Sequence, residues 1–181
     1  MYKYLCIILL ILVGCGGETI PKPKAYLSLD YPQSLYDKLK IVRPYEFDIP
    51  TTANIVELPK QWLKIQYPAL KASVDITYRP VNNNLKELLM EAEKLVFEHT
   101  IKADNISWRD YANAERKVYG KMCEISGNAA SQLQFHVTDS TKHFLKASLF
   151  FYSKPNYDSV LPAVEHIKKD MIQIMETLEW K

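Results

Sequence analysis

Four short runs in the first half of the chain alternate apolar with polar side chains and then stop at a proline. Ala25 to Tyr31 ends at Pro32, Tyr45 to Ile49 at Pro50, Trp62 to Tyr67 at Pro68, and Val74 to Tyr78 at Pro80. A period of two matches the pleat of a β-strand with one buried face. Proline has no N–H to give to a ladder, so it belongs at the end of a strand and not in its middle. The pattern commits this part of the chain to β-structure.

The period changes after Asn82-Asn83-Asn84, whose side-chain oxygens can cap a helix. Leu85, Leu88, Leu89, Ala92, Leu95, Val96 and His99 then recur at helical spacing, with Glu87, Glu91 and Glu98 off the stripe, and the helix is expected to end near Ala103. Asp104 to Ala114 is polar and aromatic and reads as a loop or short turn. Three strands follow, Lys117 to Ser126, Ala130 to Thr138 and His143 to Tyr152. Gly127-Asn128 joins the first two, and the turn-rich set Asp139-Ser140-Thr141-Lys142 closes the last two. After Pro155-Asn156, Asp158 or Ser159 can cap a final helix with Pro162 in its first turn. Its stripe is Val160, Val164, Ile167, Met171, Ile174 and Leu178, and its end is expected near Trp180-Lys181. Strands, helix, strands, helix make an α+β fold, an antiparallel β-sheet packed by two helices. The element order resembles the Mog1/PsbP-like sandwich, a likeness of fold alone.

The N-terminus has its own logic. Met1-Tyr2-Lys3 is a short basic start, and Leu5 to Val13 is an apolar run. The run is far short of the ~20 residues a membrane span needs and has the length of a secretory signal core. Leu12-Val13-Gly14-Cys15 places a small residue and then a cysteine at the cleavage point, and so resembles a bacterial lipobox. That resemblance implies that residues 1–14 are removed and that Cys15 carries palmitate-type acyl chains. Two or more chains give stable anchoring at ~0.8 kcal/mol per buried methylene. Residues 15–24 then form a lipidated start and tether, and 25–181 a single α+β domain. Even stretched, the tether reaches only ~30 Å at ~3.3 Å per residue. The domain is expected to work beside its own membrane. No Asp follows Cys15, which favours the outer membrane, on the periplasmic face or the surface.

Composition narrows the chemistry. The formal net charge is +2, and loss of Lys3 with the leader brings basic and acidic residues closer to balance. Nothing in that balance calls for nucleic acid or a strongly charged partner. Of Cys6, Cys15 and Cys123, only Cys123 stays as a free thiol in the mature chain, where it is read as a small packed hydrophobe. The best metal candidate is His136, Asp139 and His143 on the last predicted hairpin. A solvent-facing hairpin end explains these residues more simply, and zinc wants three or four ligands in tetrahedral array. Ser140 with His143 and Asp139 lies within one turn, too short to put serine and carboxylate at opposite ends of an imidazole. No metal, cofactor or catalytic residue is assigned, and the chain is read as a non-enzyme. His99 is read as a hydrogen-bonded core histidine. Trp108, Arg109 and Tyr111 are the candidate interface, because Trp, Tyr and Arg are the usual anchors of protein contacts.

Longer stretches are recognisable. Pro21-Lys22-Pro23-Lys24 with Tyr26, Leu29 and Asp30, then His99 to Asp104, resemble the gliding-motility-associated lipoprotein GldD family of the Bacteroidetes. So do Gly127 to Ser131, Gln134-Phe135, Thr138 to Phe144, Pro155-Asn156 with Asp158-Ser159, and the ending Thr177 to Lys181. The chain departs from that pattern at Ala25, at Ser28, at Gln61, where a cysteine is expected, and between Lys146 and Phe151. The resemblance implies an accessory or assembly lipoprotein of the gliding and type IX secretion apparatus, with no catalytic residues to carry over. Its partners would be the bilayer, through Cys15, and other envelope proteins. Two other functions remain open at this level: a module binding lipid or glycan in a cleft between sheet and helix, and a metal-dependent or serine hydrolase built on His136, Asp139 and His143.

Overall fold

The computed structural model describes residues 31, 33–98, 103–152 and 156–181. The leader, Cys15, the tether, the run Ala25 to Tyr31 apart from its last residue, and His99 lie outside the described residues.

The described chain begins with three short strands, β1 (Tyr36–Lys38), β2 (Tyr45–Glu46) and β3 (Asp48–Pro50). It continues through β4 (Asn54–Glu57), β5 (Leu63–Tyr67) and β6 (Ala72–Pro80) to helix α1 (Leu85–Glu98). Then come β7 (Ala103–Asn113), β8 (Val118–Gly127), β9 (Leu133–Thr138), β10 (His143–Phe151), helix α2 (Tyr157–Thr177) and β11 (Glu179–Trp180). Among the described residues, seven strands form one antiparallel sheet in the order β4-β5-β6-β10-β9-β8-β7. The expected α+β class is what the chain adopts, an antiparallel sheet with a helix on each face.

Several boundaries differ from expectation. Asp104 to Ala114 is not a loop: nearly all of it lies in β7, paired with β8 from Ala103–Gly127 to Asn113–Val118. The run Tyr45 to Ile49 is two strands, because the chain changes partner at Phe47; β2 pairs with β11 and β3 with β1. The final helix starts at Tyr157, so Asp158 and Ser159 fall inside its first turn. Asn156 takes the cap position, and its carbonyl accepts the Ser159 and Val160 N–H groups at 3.1 Å each. Pro162 is interior to the helix, where it can give no N–H to the carbonyl four residues back. The helix stops at Thr177, and Glu179–Trp180 leave it as a strand.

Strand parity divides the sheet into two unlike faces. On one, Leu145, Ala147 and Leu149 of β10 have no exposed surface. They lie in register with Tyr78, Ile76 and Val74 of β6, and Leu145 and Ala147 also with Val137 and Phe135 of β9. Helix α2 lays Val164, Ile167, Met171 and Ile174 into this core. On the other face, Lys146 and Ser148 stand opposite His136 and Gln134 on one side and Thr77 and Asp75 on the other. Helix α1 covers part of that polar face. Its Leu88 and Ala92 meet Phe144, and its Val96 meets Cys123 and Ile125.

Two glycines are needed where they stand. A Cβ on Gly120 would collide with the backbone carbonyl of His136 in the neighbouring strand. Gly127 ends β8 at φ 98°, a conformation that glycine takes without strain and that turns the chain back toward β9.

Candidate functional site

The β9–β10 hairpin separates the residues that the sequence brings together. Asp139 donates its N–H to the His143 carbonyl, and Thr138 is paired with Phe144. Within the turn Ser140 is left-handed at φ 68°. β9 ends at Thr138 and β10 begins at His143, so Asp139 to Lys142 close the hairpin as the sequence predicts; Thr138 pairs with Phe144 and not with His143, and that offset decides which faces the two imidazoles take. His136 and His143 point to opposite sides of the sheet. His136 stacks on Phe144 with ring centroids 5.9 Å apart. His143 stacks on Trp180 at 5.1 Å, with Nδ1 2.9 Å from the Tyr78 hydroxyl.

His136 is thus not part of a solvent-facing hairpin end; it is only 5% exposed. Burial, opposed by Glu93 and assisted by Lys121 and Lys146, lowers its pKa to about 4, so the ring is neutral at ordinary pH. Asp139 serves the turn: its Oδ1 accepts the N–H groups of Thr141, Lys142 and His143 at 2.8–3.0 Å. Burial pushes this carboxyl up, but those bonds outweigh it and hold it at about 2. Among the described residues no group of three His, Cys, Asp or Glu side chains is placed to hold a metal ion. Cys123 is buried, and burial pushes its thiol up to about 12, which keeps it protonated and unreactive.

The strand β7 also divides the candidate interface. Trp108 pairs with Cys123 and lies on the α1 side, whereas Arg109 and Tyr111 pair with Met122 and Gly120 and lie on the α2 side. Trp108 is 37% exposed, Arg109 is exposed, and Tyr111 is half-buried against the main core. Arg109 reaches Glu124 at 3.9 Å. β7 stands at the rim of the sheet, and among the described residues no strand pairs with its outer edge.

A cleft between helix and sheet, one of the alternatives the sequence left open, lies between α1 and the polar face; its lining residues were not foreseen. It has a volume of about 200 Å³, with Thr77, Phe144 and Lys146 on the sheet side and Leu88, Ala92 and Leu95 on the helix side. Trp62 also lines it, its indole N–H held by the Tyr78 carbonyl at 2.9 Å. A second void of about 10 Å³ adjoins the same Lys146 and is lined by Gln134, His136 and Trp108. Gln134 is 3% exposed; its Oε1 accepts from Ser148 at 3.3 Å, and its Nε2 has no partner. The signal in the sequence was the polar alternation Gln134-His136-Thr138 and Lys146-Ser148, interleaved with the apolar Leu133-Phe135-Val137 and Leu145-Ala147-Leu149.

The family model for the gliding motility lipoprotein GldD matches residues 16–180. The chain belongs to that family. No curated protein matches it. Membership in the GldD family makes it a lipoprotein of gliding motility, lipid-anchored at the cell envelope. No helix among the described residues is long and apolar enough to cross a membrane.

Proposed function

We propose that this member of the GldD family is a non-enzymatic assembly component of the gliding motility and type IX secretion apparatus. Acylated Cys15 anchors it in the outer membrane, where it docks onto other envelope proteins. The observation that supports this reading is the family match over residues 16–180, which begins one residue after the cysteine of the lipobox. The tether of residues 16–24 holds the domain within ~30 Å of the bilayer, so its partners belong to the same membrane or to its near surface. The exposed strand β7 supplies the docking side chains, with Trp108 on one face and Arg109 and Tyr111 on the other.

Changing Cys15 to Ala should release the protein from the membrane fraction, and retention there would defeat the anchor. Partner recovery in a pulldown should fall with either Trp108→Ala or Arg109→Ala plus Tyr111→Ala. Recovery unchanged by both would remove β7 from the docking surface.

A further inference from the structure

The charges around the cleft under α1 do not cancel. Arg79 faces Glu91 at 3.5 Å, and Lys121 faces Glu93 at 4.0 Å. Lys146 is partly buried between these pairs and, among the described residues, makes no ion pair or side-chain hydrogen bond of its own. Burial lowers its pKa, with Glu91 acting in the opposite sense at longer range. Beside it lies the Gln134 Nε2, a buried donor with nothing to donate to. A buried amide left unpaired costs about 1–3 kcal/mol, and a half-desolvated ammonium seeks a counter-charge. The same Lys146 lines both the larger apolar-roofed chamber and the small void next to Gln134.

We propose that this cleft binds a small amphiphilic monocarboxylate. The head group meets the Lys146 ammonium within the larger chamber, a single water in the small void carries the Gln134 amide's hydrogen bond to it, and the apolar body lies against Leu88, Leu95 and Phe144. One uncompensated cation fits one negative charge; a phosphate dianion would bring more charge than the site neutralises. His136, neutral at ordinary pH, adds no second cation. At ~30 Å³ per small group, about 200 Å³ holds on the order of seven heavy atoms, a short-chain acid and not a full lipid tail. This reading is independent of the docking role proposed above.

The test uses full-length protein in nanodiscs of zwitterionic lipid, titrated with hexanoate, hexanol and inorganic phosphate. Two readouts follow the site: tryptophan emission, through Trp62, and the carbon-13 signal of reductively methylated Lys146. Hexanoate should bind saturably, at least tenfold tighter than hexanol, and should raise the Lys146 pKa, while phosphate should give no saturable response. Lys146→Met should weaken hexanoate tenfold or more, Lys146→Arg should retain it, and Gln134→Met should weaken it several-fold. No saturable hexanoate response, equal affinity for hexanol, saturable phosphate binding, or a Lys146→Met variant that binds as well as the parent would each overturn the proposal. Partner recovery by β7 variants is measured separately, so failure of one reading does not decide the other.

Discussion

One strand, β10, shows the two halves of this molecule side by side. Its odd positions, Leu145, Ala147 and Leu149, are sealed under α2; its even positions, Lys146 and Ser148, face α1 among Thr77, His136 and Gln134. The α2 side is a continuous core, while the α1 side breaks into two small apolar clusters separated by polar groups and cavity. A polar interior adds little to stability, because each group exchanges water for a partner at small net gain. Stability therefore rests mainly on the α2 face.

The largest effect that tests this division is a pair of truncations. Ile167→Ala removes a side chain with no exposed surface from the centre of the α2 core and should lower unfolding free energy by about 4 kcal/mol. Leu88→Ala on the opposite face, beside an existing cavity, should cost only about 2 kcal/mol. Urea unfolding measures both, and equal losses would mean that the two faces stabilise the fold alike.

Acid probes the α1 face next. His136 titrates near 4 when folded and near its ordinary 6.5 when unfolded. Between those values the unfolded chain holds the extra proton, so stability is full above pH 6.5 and falls as pH drops toward 4. The loss approaches ~3 kcal/mol from the linkage relation. His143, also pushed down by burial, adds a loss of the same sign. Asp139 acts lower: its stabilising contribution is present above 3.8 and is lost as pH falls through about 2. Replacing His136 by Gln should flatten most of the slope between pH 6.5 and 4 in denaturant midpoints. An unchanged slope would mean that the ring is hydrated.

These examples also show what the sequence could and could not disclose. Strands β5, β6, β9 and β10 were legible because burial on at least one side imposes a pattern. β7 was not, because an edge strand exposed along most of both faces has no alternation to read. Its tryptophan and tyrosine therefore looked like loop aromatics. The split of Tyr45 to Ile49 into β2 and β3 depends on which distant strands arrive, β11 and β1, and no local pattern records that. The Asp139–Lys142 turn was legible, but the parting of His136 from His143 turned on the pairing of Thr138 with Phe144, a register that composition does not encode. The lipobox is the reverse case: it is legible only as sequence, since Cys15 lies outside the described residues.

A smaller effect of opposite sign concerns Lys146. Methionine keeps most of the aliphatic stem and removes an ammonium that burial disfavours and no carboxylate within 4 Å offsets. Lys146→Met should therefore raise stability by up to about 1 kcal/mol in urea unfolding. A residue that costs stability where it sits is retained for something else, which is the expected mark of a binding group. A clear loss of stability would recast Lys146 as structural and bring the two faces closer in kind.

The least perturbing change lies at the edge of the sheet. Arg109 is largely exposed and meets Glu124 at 3.9 Å, but Glu124 is also held by Lys168 of α2 at 2.6 Å. Removing the arginine leaves that carboxylate paired, so Arg109→Ala should shift stability by no more than about 0.5 kcal/mol. Any loss of partner recovery in this variant then reports the interface and not the fold. If recovery depends on Arg109 and not on Trp108, the partner lies against the α2 side, over the face that confers stability. If it depends on Trp108 alone, the partner sits on the α1 side next to the void lined by Trp108 and Lys146. Docking and ligand binding would then share one face, and hexanoate should change partner recovery.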